Sequence, residues 1–160
     1  MHKLVVYGSL MNENELQDQG LWGHNIEPIK VFGYKRVCNQ EPSYRLVDSN
    51  ARAVLSVQKK DDAWFNAILI KDLDEAFLQA LDMREIGYER TQVDVKTYGG
   101  EFYKDCFVYI GRSEKLNNDI APNEDYLSIC YEAAQSFGEE FYQDFLQTTF
   151  KNSEQGLVRI

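Results

Sequence analysis

The order of elements along this chain predicts an α+β fold. Three observations carry that reading. Short apolar runs with strand patterning fill most of the first 110 residues. One amphipathic helical stretch interrupts them near residue 80, and two more helical stretches close the chain between 122 and 148.

Residues 3–7 read as a buried first strand, because Leu4, Val5 and Val6 run unbroken up to Tyr7-Gly8-Ser9-Leu10. The polar stretch NENELQDQ (12–19) forms either a short helix or a loop. EPIKVFGYKRV (27–37) reads as a strand interrupted at Gly33 by a bulge or a close backbone approach, after which QEPSYR turns the chain back. RAVLSVQK (52–59) and AWFNAILI (63–70) flank Lys60-Asp61-Asp62 and predict a hairpin.

A helix then starts at Asp72, with Glu75 three residues on in a capping-box arrangement. Leu73, Phe77, Leu78 and Leu81 recur at helical spacing, and Gly87 is the expected stop. YERTQVDVKT (88–97), the turn Tyr98-Gly99-Gly100 and EFYKDCFVYI (101–110) form the clearest hairpin in the chain. Pro122 and Asn123 announce a helix whose Tyr126, Leu127, Ile129, Cys130, Ala133, Ala134 and Phe137 trace one apolar face. Gly138 separates it from a last helix bearing Phe141, Phe145 and Leu146. Residues 1–150 are thus expected to form one domain, with 151–160 a fraying tail.

Composition narrows the function. The net charge of -9 comes without any cluster of Lys and Arg, which argues against a nucleic-acid or anionic-membrane surface. A small anionic ligand held by one Arg and several backbone N–H groups stays compatible with it. The three cysteines, Cys38, Cys106 and Cys130, are widely spaced and joined by only two histidines, which disfavours a zinc or disulfide framework. Reduced, mostly buried thiols and a cytoplasmic location are expected. No run approaches membrane-spanning length. Oligomeric state is not encoded in any of these features.

Several chemistries lack their motifs. There is no GxGxxG and no phosphate-binding Gly-Lys-Ser/Thr loop, Ser9 stands in YGSL rather than GxSxG, and HExxH is absent. An enzyme here would work without metal or cofactor. Two features remain open to chemistry. YGSL is either a tight turn or a loop whose N–H groups hold an anion. Glu85 follows Leu81 by four residues and Leu78 by seven, so it projects from the buried face of its helix. Its carboxylate lies either at a solvated rim or in a pocket, and an apolar pocket would raise its pKa and suit it to general-base work.

YGSL after the first strand, LDMRE followed by GYER and VDV, the strand CFVYI and the tail APNEDYLSICYEAAQSFGEEFYQDFL together resemble the γ-glutamyl cyclotransferases, over roughly residues 3–148. The resemblance implies a small mixed β-barrel flanked by helices, with one pocket. It implies that Tyr7, Gly8, Ser9 and Leu10 bind the γ-glutamyl end of a substrate, that Glu85 is the catalytic acid/base, and that Tyr109 lines the pocket. The implied reaction releases 5-oxoproline and whatever was attached to the γ-carbonyl. Arg36 is a candidate for holding a substrate carboxylate, beside the reading of a solvated strand residue, and Tyr88 is expected to pack in the core. The alternative of a different class is a catalytically silent relative that binds a small metabolite or a protein partner. A third reading uses the same pocket to remove a γ-glutamyl protecting group.

Overall fold

In the computed structural model the described residues are 1–21, 23, 25–43 and 49–151. Strand β1 (His2–Val6) leads through a 3₁₀ turn (Ser9–Met11) to helix α1 (Glu13–Asp18), capped by the Asn12 side chain accepting from Asn14 N–H. Strands β2 (Ile26–Gln40) and β3 (Ala51–Leu73) follow, then α2 (Glu75–Arg84), β4 (Tyr88–Thr97) and β5 (Phe102–Gly111). Short β6 (Ala121–Pro122), helices α3 (Glu124–Ser136) and α4 (Glu139–Gln147), and β7 (Thr149–Phe150) complete the order.

The sheet runs β6-β3-β1-β5-β4-β2-β7, and an additional β2–β3 pairing closes the five middle strands into a barrel. It is mixed because β1 and β5 run parallel while the other barrel pairings are antiparallel. Leu4, Val5 and Val6 are all buried, as expected of a strand covered on both faces, and all three cysteines are buried thiols. Phe65, Phe141 and Phe145 fill the ring-rich core. Among the described residues no helix is long and apolar enough to cross a membrane.

Three local expectations are corrected. The runs 52–59 and 63–70 do not pair with each other. Both belong to the 23-residue β3, which lies antiparallel along β2, with Phe32 opposite Trp64 and Tyr34 opposite Lys59. The charged residues 60–62 fall in an excursion opposite Gly33, whose φ of 89° marks the anticipated bulge. The reason is reach: β2 is long enough to template both halves, so the polar segment bends the strand instead of reversing it.

The cap of α2 is Asp74, whose carboxylate accepts from Phe77 N–H at 2.7 Å. Asp72 still belongs to β3, because Leu73 pairs with His2. The helix ends at Glu85 itself rather than at Gly87. Gly87 is needed for space, since a Cβ there would sit 2.8 Å from Ser43 Oγ and 3.0 Å from Gln40 Nε2. The last two residues of the QEPSYR turn and nearly all of the expected tail lie outside the described residues.

Candidate active site

The end of β1 delivers Tyr7 and Gly8 to the barrel mouth. Met11 N–H donates to Gly8 C=O at 3.0 Å and Asn12 N–H to Ser9 C=O at 2.9 Å, which folds the 3₁₀ turn. The N–H groups that open such a turn have no acceptor within it. Those of Gly8, Ser9 and Leu10 donate to no acceptor among the described residues. Tyr7 is buried and its hydroxyl donates to Tyr109 C=O at 2.6 Å; burial holds that phenol well above its ordinary pKa. Gly8 admits the Tyr126 hydroxyl so closely that a Cβ would stand 2.6 Å from it.

Two adjoining hollows meet at this loop. The inner one, about 90 Å³, is walled by Tyr7, Gly8, Leu55, Tyr109, Tyr126 and Glu85 among others. The outer one, about 250 Å³, extends past Glu15, Gln19, Pro42, Ser43 and Arg84. Ser9, Leu10, Glu85, Tyr88 and Tyr126 border both, so Glu85 stands at their junction.

Glu85 caps α2 with φ -91° and ψ 58°, outside helical geometry. Its N–H remains bonded to Leu81 C=O, and its own C=O accepts from Tyr88 N–H. Gly87 C=O, two residues on, is pinned by Gln40 Nε2 at 2.9 Å and Arg112 N–H at 2.9 Å. The carboxyl group therefore projects from a fixed turn. Burial against apolar and aromatic walls pushes it up to about 7.

The structure brings Tyr7, Gly8, Ser9, Leu10, Tyr109 and Glu85 around one chamber. Tyr109 is oriented by Asp82, three residues before Glu85, which accepts from its hydroxyl at 2.7 Å; Arg90 Nη2 lies 3.3 Å from the same Asp82 carboxylate.

Arg36 is not there. It is 0% exposed and borders neither hollow, and all five of its N–H donors are engaged. It is neither a solvated strand residue nor open to a substrate carboxylate, because its side chain is buried against Asn66, Phe145 and the Thr148–Thr149 pair at the end of α4. Burial lowers its pKa to about 9, which leaves it a cation at neutral pH.

Tyr88 and Tyr126, read from sequence as packing residues, are chamber walls; their hydroxyl groups meet Leu55 C=O at 3.0 Å and Leu55 N–H at 3.3 Å. No periodicity separates such a wall tyrosine from a core one. A polar head on an otherwise apolar helix face was the available signal for Tyr126. Asn66, a lone polar residue inside AWFNAILI, was the corresponding signal for the Arg36 cluster.

The profile of the family described as gamma-glutamyl cyclotransferase, AIG2-like, matches residues 4–128. The chain belongs to that family. No curated protein matches it by sequence. Among solved structures it is similar to a gamma-glutamyl cyclotransferase (15% identity, TM-score 0.71, covering 99% of this chain and 93% of the other). It is also similar to YkqA from Bacillus subtilis (21% identity, TM-score 0.70, 89% of this chain), of which it spans about half the length, 51%. A third is the glutathione-specific gamma-glutamyl cyclotransferase from yeast (16% identity, TM-score 0.65, 92% of this chain and 94% of that one). At these identities the likeness concerns the fold.

Proposed function

We propose that this protein is a cyclotransferase that converts a γ-glutamyl amino acid, peptide or amine to 5-oxoproline and the free amine. The observation that carries the reading is a half-buried Glu85, raised to about 7, lining one chamber with Gly8, Ser9 and Leu10, whose N–H groups have no acceptor among the described residues. Family membership supports it.

A γ-glutamyl compound carries its own nucleophile. Its α-amine can attack the γ-carbonyl carbon, closing a five-membered ring through a new C–N bond. Holding the bent conformer supplies much of the acceleration, since well-oriented intramolecular reactions gain on the order of 7–11 kcal/mol. The apolar walls and Tyr109 shape that conformer. Glu85, as carboxylate, takes the proton from the attacking nitrogen. The negative charge that develops on the carbonyl oxygen meets the N–H groups of the loop. When the bond to the departing nitrogen breaks, Glu85 returns the proton to it, so the enzyme ends unchanged. The outer hollow, continuous with the inner one at Glu85, is where the leaving group would extend.

The test is 5-oxoproline release from glutathione, γ-glutamyl dipeptides and γ-glutamylamines, with Glu85→Gln alongside. The expected outcome is release by the unmodified protein and a loss of at least about a hundredfold in the variant, the usual scale of acid–base catalysis. No release from any member of the panel by folded protein would refute the proposal and favour a silent ligand-binding relative. The best substrate would also decide between peptide turnover and removal of a γ-glutamyl protecting group.

A further inference from the structure

Arg36 is a buried cation whose partners carry no carboxylate. Its Nε donates to Thr149 Oγ1 at 2.9 Å and one Nη2 N–H to Thr148 Oγ1 at 2.9 Å. Both hydroxyls pass their own protons to carbonyls in the last turn of α4, Asp144 at 2.7 Å and Phe145 at 2.6 Å. The negative end of that helix thus faces the guanidinium through two threonines. Phe145 stacks on it with 4.1 Å from Cζ to the ring centroid. Asn66 accepts through its side chain at 2.8 Å and its backbone at 2.5 Å. Asn66 in turn is oriented by Nδ2 donating to Phe141 C=O and to the Tyr98 hydroxyl.

The remaining contact reaches the site: Nη1 donates to Tyr7 C=O at 3.2 Å. In a trans peptide the C=O of one residue and the N–H of the next point in opposite directions, and no cis peptide occurs among the described residues. A Tyr7 carbonyl held toward Arg36 therefore aims the Gly8 N–H the other way. Gly8 and Tyr7 border the inner hollow and Arg36 does not. We infer that Arg36 is a positioning residue for the proposed reaction, fixing the Tyr7–Gly8 peptide so that the Gly8 N–H faces the chamber. The contact that sets the loop is the one from Nη1 to Tyr7 C=O; Thr148 meets only Nη2, on the edge of the guanidinium turned to the end of α4. The positioning role rests on the cyclotransferase reading for its kinetic consequence, though not for its geometry.

Arg36→Lys keeps the charge but loses the planar fork that reaches Tyr7, Asn66 and both threonines together. Thr148→Val removes one guanidinium contact distant from the loop and serves as the control for mere destabilisation. With the substrate that the protein turns over best, Arg36→Lys should lower kcat by about a hundredfold, the scale of a misplaced reacting geometry. Its KM should change far less, while Thr148→Val keeps its kcat at a comparable loss of thermal stability. Equal kcat losses in the two variants, or an undiminished kcat in folded Arg36→Lys, would overturn the inference.

Amide exchange of the wild-type protein, read by NMR, decides the geometry without any variant or substrate. A Gly8 N–H that exchanges far faster than those of β1 supports it, and one as protected as its β1 neighbours overturns it. If no γ-glutamyl compound is turned over, the functional reading has failed, and this exchange measurement still decides the positioning.

Discussion

Replacing Glu85 by Gln should stabilise the protein, and by an amount that depends on pH in a defined way. The carboxyl group ordinarily titrates near 4.5 and is raised by burial to about 7 in the folded chain. Between those values the folded state binds one proton more than the unfolded state, so stability falls as pH rises. Below 4.5 both states are protonated and above 7 both are ionised, so the group contributes no further slope. The shift corresponds to roughly 3 kcal/mol at about 1.4 kcal/mol per unit. The amide of the variant has no such titration, and every other carboxylate is common to both proteins. The difference in unfolding free energy, variant minus wild type, should therefore grow by about 3 kcal/mol from pH 4.5 to 7 and then level off. For a domain of this size that is a Tm advantage of roughly 6–12 °C. Urea titrations of both proteins at intervals between about pH 4 and 8.5 measure it. A difference that does not change with pH would show that Glu85 ionises normally, and the poised-base argument would fall with it.

Two further outcomes follow from the same geometry. The pH dependence of kcat/KM should rise with an inflection near 7, as Glu85 becomes a carboxylate, and that inflection should vanish from the residual activity of Glu85→Gln; the substrate's own amine, near 8 in ordinary α-amino groups, would remain as a second limb in both. An inflection that persists in the variant assigns it to another group. Gly8→Ala should lose activity because its Cβ would lie 2.6 Å from the Tyr126 hydroxyl. Adding Tyr126→Phe should recover part of the loss, with the double variant about 1 kcal/mol better in kcat/KM than the sum of the two singles; strict additivity would locate the fault elsewhere.

How much of this was legible in the sequence depended on how local each signal was. Leu4-Val5-Val6, the Tyr98-Gly99-Gly100 turn and the Asn123 cap act within a few residues, and their elements are where the pattern puts them. Glu85 was singled out because helical spacing from Leu78 and Leu81 puts it on the buried side of α2. Its raised pKa was conditional on a pocket that no spacing could supply.

The misread elements share one cause. A strand pairs with whatever template reaches it, and local turn chemistry at 60–62 was overruled by a β2 long enough to bind all of β3. Asp72 looked like a cap until Leu73 was claimed by His2, seventy-one positions earlier.

Residue order and composition were enough for the α+β succession of elements, the net acidity without a basic cluster, the Gly8 loop and the candidate acid. Which tyrosines are walls depended on the closed fold. It also turned Arg36 from a surface candidate into a buried anchor. Those outcomes depend on partners more than a hundred residues apart, such as Arg36 with Thr148 and Thr149 and Tyr7 with Tyr109. Burial, and with it every pKa at this site, is a property of the closed barrel and of no segment alone.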